Sequence, residues 1–495
     1  MSFRRIIDHL LFREVDAASL AAWRIGFGAL MTFEAINYGL FLCLDCYYRD
    51  TSFLFKYHHF EWVGVPPGFG LEILFALMTV AGLCITVGYH YRAAMIFYTF
   101  GFTWNFLLDQ TRYLNHFYLV ILICVIMCFV PAHRYWSLDA WRKPELRSPT
   151  VPNWGRFWLG AQLEIVLIYA GLVKINGDWL NLEPMRLWMN YRSADAHWIF
   201  QWLTQDWGIA LASYGVIALH LIGAPLLLWR RSRLAVLCLY AIFHTTNAFV
   251  FNIGIFPWMT LYASLLLFDP DWPRQFIAWA NRHGWLMRWQ HLAAAPTPRP
   301  ASAGAADGTA AGLSTTGSAA TLRRGAGFGT WQKTAITVFV FGWLAWQIVL
   351  PLRHTWAPGN VAWNEDGHRY AWRMKLRSKR GSAVFIVERA DGRTFRVDPR
   401  DQLTARQARK MACIPDLIWQ FAQKLEQDYA RFELPEGAEP LDSVVRVETR
   451  CSLNARDYAT LIDPTVDLSA IDRRHPASEW VLPNTLPRHE PIFGP

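Results

Sequence analysis

The stretch AITVFVFGWLAWQIVLP, residues 335–351, is apolar and of the length that crosses a lipid bilayer as a helix, and it divides the chain into two regions of different texture. Upstream, apolar segments recur near 18–42, 71–89, 93–108, 117–131, 157–174, 208–229, 233–251 and 253–268. With 334–351 they make about nine candidate spans, at roughly 20 residues per crossing. The composition agrees. Of the 495 residues 53% are hydrophobic, with 26 Trp and 32 Phe, and the mean hydropathy is +0.13, too apolar for a soluble domain of this length. The upstream region reads as a polytopic α-helical membrane bundle.

Charge sets its orientation. The formal net charge of +9 does not point to nucleic acid, because basic residues gather in loops between apolar segments and no nucleic-acid motif accompanies them. The start, MSFRRIIDHLLFREVDA, reads as a basic, amphipathic, interfacial stretch and not as a cleavable signal, so the first span is expected to stay. With the N-terminus inside, the inner loops (1–17, 88–92, 131–156, 229–233, 269–333) carry 19 Lys and Arg, and the outer ones (43–70, 109–115, 175–207, 251–252) carry 5. That is the positive-inside pattern. An odd number of spans then places everything after 351 on the outer face.

Residues 292–330, including PTPRPASAGAADGTAAG, are nearly devoid of large apolar side chains and cannot bury a core, which predicts a disordered inner linker. Downstream of the last span, HRYAWRMKL, SAVFIVERA and RTFRVDP alternate like strands, with an Asp391-Gly392 turn between the last two. Thr404 opens a helical stretch broken at Pro415, and SVVRVETRCSLN reads as a further strand before a proline-rich tail. The expected division is a membrane domain over 1–291, the linker over 292–330, the last span over 331–353 and a small extracytoplasmic α+β domain over 354–495.

Eight cysteines are scattered without zinc-type spacing, and no metal is expected. Cys84, Cys124, Cys128 and Cys238 read as packed hydrophobes. Cys43 and Cys46 form a lone CxxC, and Cys413 and Cys451 could pair on the oxidising side or remain thiols. Ionisable groups inside a bilayer are functional candidates by default, and here they are Arg24, Glu34, Glu164, Lys174, His220 and His244, with Asp109 and His116 at the outer boundary. Arg24 and Glu34 could simply pair with other helices, and His220 could be a hydrogen-bonded bundle histidine. In IYAGLVKINGDW, residues 168–179, Lys174 lies at the outer end of its span, where it could snorkel to the headgroups. Asn115, His116, His244 and Asn247 reach the same depth, which would suit a buried reaction chamber. There, burial would disfavour the ammonium and leave a neutral amine able to take a proton.

Several of these stretches, LLDQTRYLNHFYL, YAGLVKINGDW, FHTTNAFVFNIGIFPWMTLYASLLLFDPDWP and LIDPTVDL, resemble in order segments of the vitamin K-dependent γ-glutamyl carboxylase family, in its bacterial type with a horizontally transferred transmembrane (HTTM) domain. SLAAWRIGFGALM, HRYWSLDAW and YAWRMKLRSKRG extend the resemblance over most of the chain outside 292–330. The resemblance implies a membrane enzyme that oxidises reduced vitamin K with O2 to its epoxide and so generates a base strong enough to drive carboxylation of a protein glutamate with CO2. By motif position Lys174 matches the family's catalytic lysine and His116 the histidine that assists at the glutamate. Asn115, His244, Asn247, Trp372 and Arg373 fall in matching segments and are implied to bind substrate or cofactor. Val173 stands where the animal enzymes carry a second lysine, Arg373 replaces an acidic residue, and their long extra C-terminal portion has no counterpart here.

The implied partners are the lipid bilayer, a membrane quinone and a glutamate-containing protein or peptide, with no nucleic acid. Length and composition look bacterial, so the expected setting is a bacterial inner membrane with the C-terminal domain periplasmic. Two rival readings are a quinol oxidase or epoxidase with another acceptor, and a non-enzymatic transporter or scaffold. Inverted repeats, which would favour transport, are not seen.

Overall fold

The computed structural model describes residues 2–192, 198–251, 253–283 and 328–485. Residues 292–327 of the expected linker lie outside them. The chain is mostly helical, with one small sheet in its C-terminal part. The helices needed below are α1 (Phe3–Phe12), α2 (Ala18–Ile36), α3 (Gly70–Val87), α4 (Tyr91–Leu108), α5 (Asn115–Phe129), α6 (Trp154–Leu172) and α7 (Met185–Arg192). They continue with α8 (Asp206–Leu227), α9 (Arg233–Phe251), α10 (Phe256–Leu267) and α11 (Thr330–Val349). Each apolar segment of the sequence coincides with a helix. Among the described residues, four helical stretches are long and apolar enough by themselves to cross a membrane: Gly70–Val87, Asp206–Leu227, Arg233–Phe251 and Thr330–Thr355. Asn115–Phe129 and Phe256–Leu267 are shorter apolar helices.

Helices α2 and α3 are held together by a reciprocal pairing of small residues. A Cβ on Gly28 would stand 2.6 Å from the Thr86 backbone nitrogen, and one on Gly82 would stand 2.6 Å from Thr32 Oγ1. Both threonine hydroxyls are turned inward along their own helices, donating to Gly28 O and Gly82 O at 2.8 Å. Small residues four apart on each helix thus let the two backbones approach, the usual source of association where lipid removes the hydrophobic drive. Arg24, buried on α2, donates to the carbonyls of Ile85 at 2.9 Å and Thr86 at 2.8 Å and to that of Trp136. It satisfies acceptors left open at the C-terminus of α3, a structural role.

The expected inner segments gather at one end. Strand β1 (Glu14–Asp16) pairs antiparallel with β2 (Thr150–Pro152). Arg274 donates to Asp16 at 2.6 Å, and Asp139 accepts from the amides of His90 and Tyr91, each at 2.9 Å. The expected outer loops carry the C-terminal domain at the other end. The Lys56 amide donates to Gln420 at 2.7 Å, Gln420 to Gln110 at 2.9 Å and Thr51 to Gln407 at 2.8 Å. Phe55 of the 43–70 loop is wholly buried in the domain's own hydrophobic core.

That domain is a three-stranded antiparallel sheet in the order β4-β3-β5, made of β3 (Lys379–Arg389), β4 (Thr394–Val397) and β5 (Ser443–Leu453). Packed on it are α12 (Ala405–Met411) and α13 (Pro415–Tyr429). The β3-β4 hairpin turns at Asp391-Gly392, with Gly392 at φ +84°, and Thr404 caps α12 through a reciprocal bond with Gln407. Cys413 and Cys451 are joined in a disulfide, and so are Cys43 and Cys46.

One expectation is overturned: HRYAWRMKL is not a strand. Tyr370, Trp372 and Lys375 have φ of +60°, +53° and +51°, in the left-handed region, and the stretch pairs with no other strand. Its alternation comes from anchoring on the bundle, Tyr370 against Tyr113 and Tyr118, and Trp372 stacked on Tyr118 at 5.2 Å. The domain-side end of this segment is tied by Glu365, whose carboxylate meets Arg377 at 2.5 Å and Lys379 at 2.8 Å. Burial alone would raise the Glu365 carboxyl, but the charges of Arg377 and Lys379 outweigh it and hold the group well below its ordinary 4.5.

A carboxyl depressed in the fold contributes stability that is present above its unfolded value and lost as pH falls below it. The domain is therefore expected to lose stability as pH drops from about 4.5, followed by tryptophan fluorescence in detergent. Glu365→Gln should flatten that acid limb, and Glu365→Ala should cost about 3–5 kcal/mol at neutral pH by leaving two cations unpaired.

Candidate active site

Lys174 sits where α6 ends. Val173 closes the helix, and Asn176 opens the next short turn (Gly177–Leu180), its Oδ1 accepting from the amides of Asp178 and Trp179 at 3.1 Å each. The Asn-Gly break thereby lets the lysine fold back into the protein. Its Nζ donates to Ala170 O at 2.7 Å and stands 5.1 Å from the centre of the Trp179 ring. Lys174 is buried, 5% exposed, and no carboxylate pairs with it among the described residues. A snorkelling lysine would instead reach outward.

The lysine lines a narrow cleft between α6, α7, α8, α9 and α10, with about 90 Å³ of free space. Aromatic side chains of Trp179, Trp188, Phe243, Phe251 and Phe256 share the wall with aliphatic ones, and His220, His244, Asn247 and Lys375 are the polar members beside Lys174. Of the residues singled out from sequence, Lys174, His244 and Asn247 are brought together here. His244 is buried with both ring nitrogens unbonded among the described residues, its ring 6.0 Å from that of Phe256. His116 is half-buried beside the same phenylalanine, with ring centres 5.6 Å apart. The ring of Phe256 thus neighbours both histidines.

Three expected site residues lie elsewhere. Asn115 accepts from the Tyr113 hydroxyl at 2.9 Å and donates to Arg373 O at 3.5 Å, bracing the bundle against the irregular segment. Trp372 is fully buried against Tyr118, and the Arg373 guanidinium lies 3.4 Å from His354. Neither lines the cleft. The two residues after them do, Met374 and Lys375, the latter with its ammonium 4.6 Å from the centre of the Phe251 ring. The left-handed turn at Lys375 is what aims the chain this way, a local strain of the sort that collects at functional sites.

His220, which the sequence leaves open between a functional group and a hydrogen-bonded bundle histidine, also lines the cleft. It occupies a π-helical turn, Leu219–Gly223, inside α8, and its Nδ1 lies 3.3 Å from the Tyr240 hydroxyl. Such turns widen a helix locally and often mark sites. The turn can approach α6 only because residue 171 is glycine: a Cβ there would stand 2.9 Å from His220 Cβ and 2.8 Å from the Leu221 side chain. Polar groups also join the site to the C-terminal domain. Asp178, four residues past the lysine, accepts from Asn454 at 2.8 Å and Arg456 at 2.9 Å.

Comparison with known proteins agrees with this arrangement. Residues 12–272, more than half of the chain, match the family model of the HTTM domain, and residues 332–486 match that of the vitamin K-dependent gamma-carboxylase lumenal domain. No solved structure matches the chain. The apolar helices and the two matches define an integral membrane protein with an extracytoplasmic C-terminal domain. The chain belongs to the vitamin K-dependent gamma-carboxylase family.

Gly171→Val should push the π turn off α6 and lower thermal stability in detergent by about 1–3 kcal/mol, the usual penalty of overpacking. Gly171→Ala should do the same to a smaller extent. An unchanged melting curve for the valine variant would contradict the close approach.

Proposed function

We propose that this chain binds a reduced naphthoquinone of the vitamin K type in the Lys174 cleft and couples its oxidation by O2 to γ-carboxylation of a glutamate in a protein or peptide. Hydroquinone, O2, CO2 and the glutamyl side chain would go to quinone epoxide, γ-carboxyglutamate and water. The observation that carries this reading is a buried lysine amine with no carboxylate partner among the described residues, facing a narrow cleft lined largely by apolar side chains. The aromatic side chains suit a fused aromatic ring, and the two unbonded nitrogens of His244 suit its hydroxyl groups. When bound, the hydroquinone supplies an acidic hydroxyl and, on oxidation to the epoxide, base enough to remove the glutamate γ-proton.

The chain's own groups have these roles. Lys174 accepts a proton at Nζ, because an unpaired charge is costly in its setting and the neutral amine is the favoured form. Ala170 O and the Trp179 ring hold that nitrogen at the cleft wall. The aromatic side chains keep water from reactive species. His244, Asn247 and His220 orient the ring, and His116 serves the glutamate side beside Phe256. Asn115, Trp372 and Arg373 act by placing the segment that carries Met374 and Lys375. The same reading takes the bundle as nine spans over 1–291 and 331–353, the linker as cytoplasmic, and residues 354–495 as a periplasmic domain of a bacterial inner-membrane protein.

The test is purified protein with reduced vitamin K, O2, labelled bicarbonate and a glutamate-containing peptide, with epoxide and fixed carbon measured separately. Both products are expected. Epoxide without fixed carbon would mean a different acceptor, and neither would overturn the proposal. His116→Ala should reduce carbon fixation by about 10²–10⁴-fold, the weight of a general acid or base, while sparing epoxide formation to a greater degree.

A further inference from the structure

A second concavity opens beside the cleft, where the C-terminal domain meets α7. Arg380 and Ser382 stand on one face of β3, Arg450 lies opposite Ser382 on β5, and Arg409 comes from α12. Tyr191 of α7 and Tyr458 flank them, with Arg380 over the Tyr191 ring at 5.5 Å and Arg450 over the Tyr458 ring at 5.8 Å. All three arginines are exposed, and none has a carboxylate partner among the described residues. Their neighbours on the same sheet do. Arg396 pairs with Glu448 at 2.7 Å and Arg446 with Glu388 at 2.5 Å. The domain thus neutralises its surface arginines next to the groove and leaves those inside it unmatched, the fork-like donors that recognise carboxylates.

Spacing narrows the ligand. Arg380 is paired with Ser452 and Arg450 with Ser382, which makes the two arginines diagonal neighbours on the sheet, roughly 7–8 Å apart. Alternate side chains of an extended peptide repeat at about 7 Å. The groove also adjoins the cleft. Tyr191 follows Trp188 of the cleft wall by three residues on α7, so the two share a helix face. Lys379 of the groove follows Lys375 of the cleft by four residues, a reach of roughly 14 Å at most.

We propose that this groove is a docking track for an acidic, glutamate-rich peptide segment, which holds the acceptor by carboxylates that are not reacting while a neighbouring glutamate reaches the Lys174 cleft. The inference rests on the proposed carboxylation for its meaning. Its test does not. Full-length protein in detergent, without quinone, is titrated into a fluorescein-labelled peptide alternating glutamate with serine, and anisotropy is read. Binding that weakens with salt is expected, with none for the glutamine-for-glutamate peptide. The double variant Arg409→Gln/Arg450→Gln should bind about tenfold or more weakly, and Arg409→Lys/Arg450→Lys, which keeps the charge, should recover part of that loss. Equal binding by wild type and the glutamine variant, no binding of the glutamate peptide, or arginine-dependent binding of phosphatidylglycerol vesicles in its place would each overturn the proposal. Since no turnover is needed, failure here leaves epoxide and carbon fixation untouched, and failure of those leaves this binding untouched.

Discussion

The Nζ of Lys174 has one hydrogen-bond acceptor among the described residues, the carbonyl of Ala170 four residues earlier, and much of the fold is arranged to keep it that way. Asn176 ends the helix so that the lysine turns inward, Trp179 covers it, and glycine at 171 lets the π turn of α8 close the wall beside it. A carboxylate in reach would fix the ammonium by pairing with it; aromatic rings and imidazoles leave the amine available. The chemistry proposed here depends on that omission, since a base already paired with an acid has little left to offer a substrate.

Ionic groups are spent elsewhere, mostly where two parts of the chain meet. Asp178 with Arg456 and Asn454, and Glu61 with Arg473 at 3.1 Å, fasten the C-terminal domain to the outer loops. Glu365 with Arg377 and Lys379 anchors the irregular segment that runs from α11 to the sheet. Through this segment the extracytoplasmic domain forms part of the cleft wall by way of Met374 and Lys375. Anything that tilts the domain therefore alters the cleft wall.

Much of this was legible in the sequence, where one-dimensional signals are strong. Apolar runs located the helices, the excess of lysine and arginine in alternate loops separated the two ends, and Asp391-Gly392, Thr404 and Pro415 marked a hairpin, a cap and a helix start. Of the groups that share the depth of Lys174, His244 and Asn247 line its cleft and Asn115 and His116 do not. What failed was whatever depends on direction. HRYAWRMKL alternates because Tyr370 and Trp372 anchor on Tyr113 and Tyr118, a period of two that a strand would share. Left-handed φ at three residues other than glycine leaves no compositional trace, so the sequence does not show that Met374 and Lys375 are the residues of this segment that line the cleft. His220 looked like any bundle histidine, because a π turn is set by packing against Gly171 on a different helix. The Gly28–Thr86 and Gly82–Thr32 pairing likewise shows only when two helices are seen at once.

The central claim is that Lys174 is a base and not an anchor. Epoxide formation by Lys174→Ala, measured with and without a series of small primary amines, tests it most directly. The account predicts a loss of about 10²–10⁴-fold that is partly restored by amines, more so by the more basic of those that fit the vacated space. A correctly folded Lys174→Ala protein that forms epoxide at the wild-type rate would contradict it.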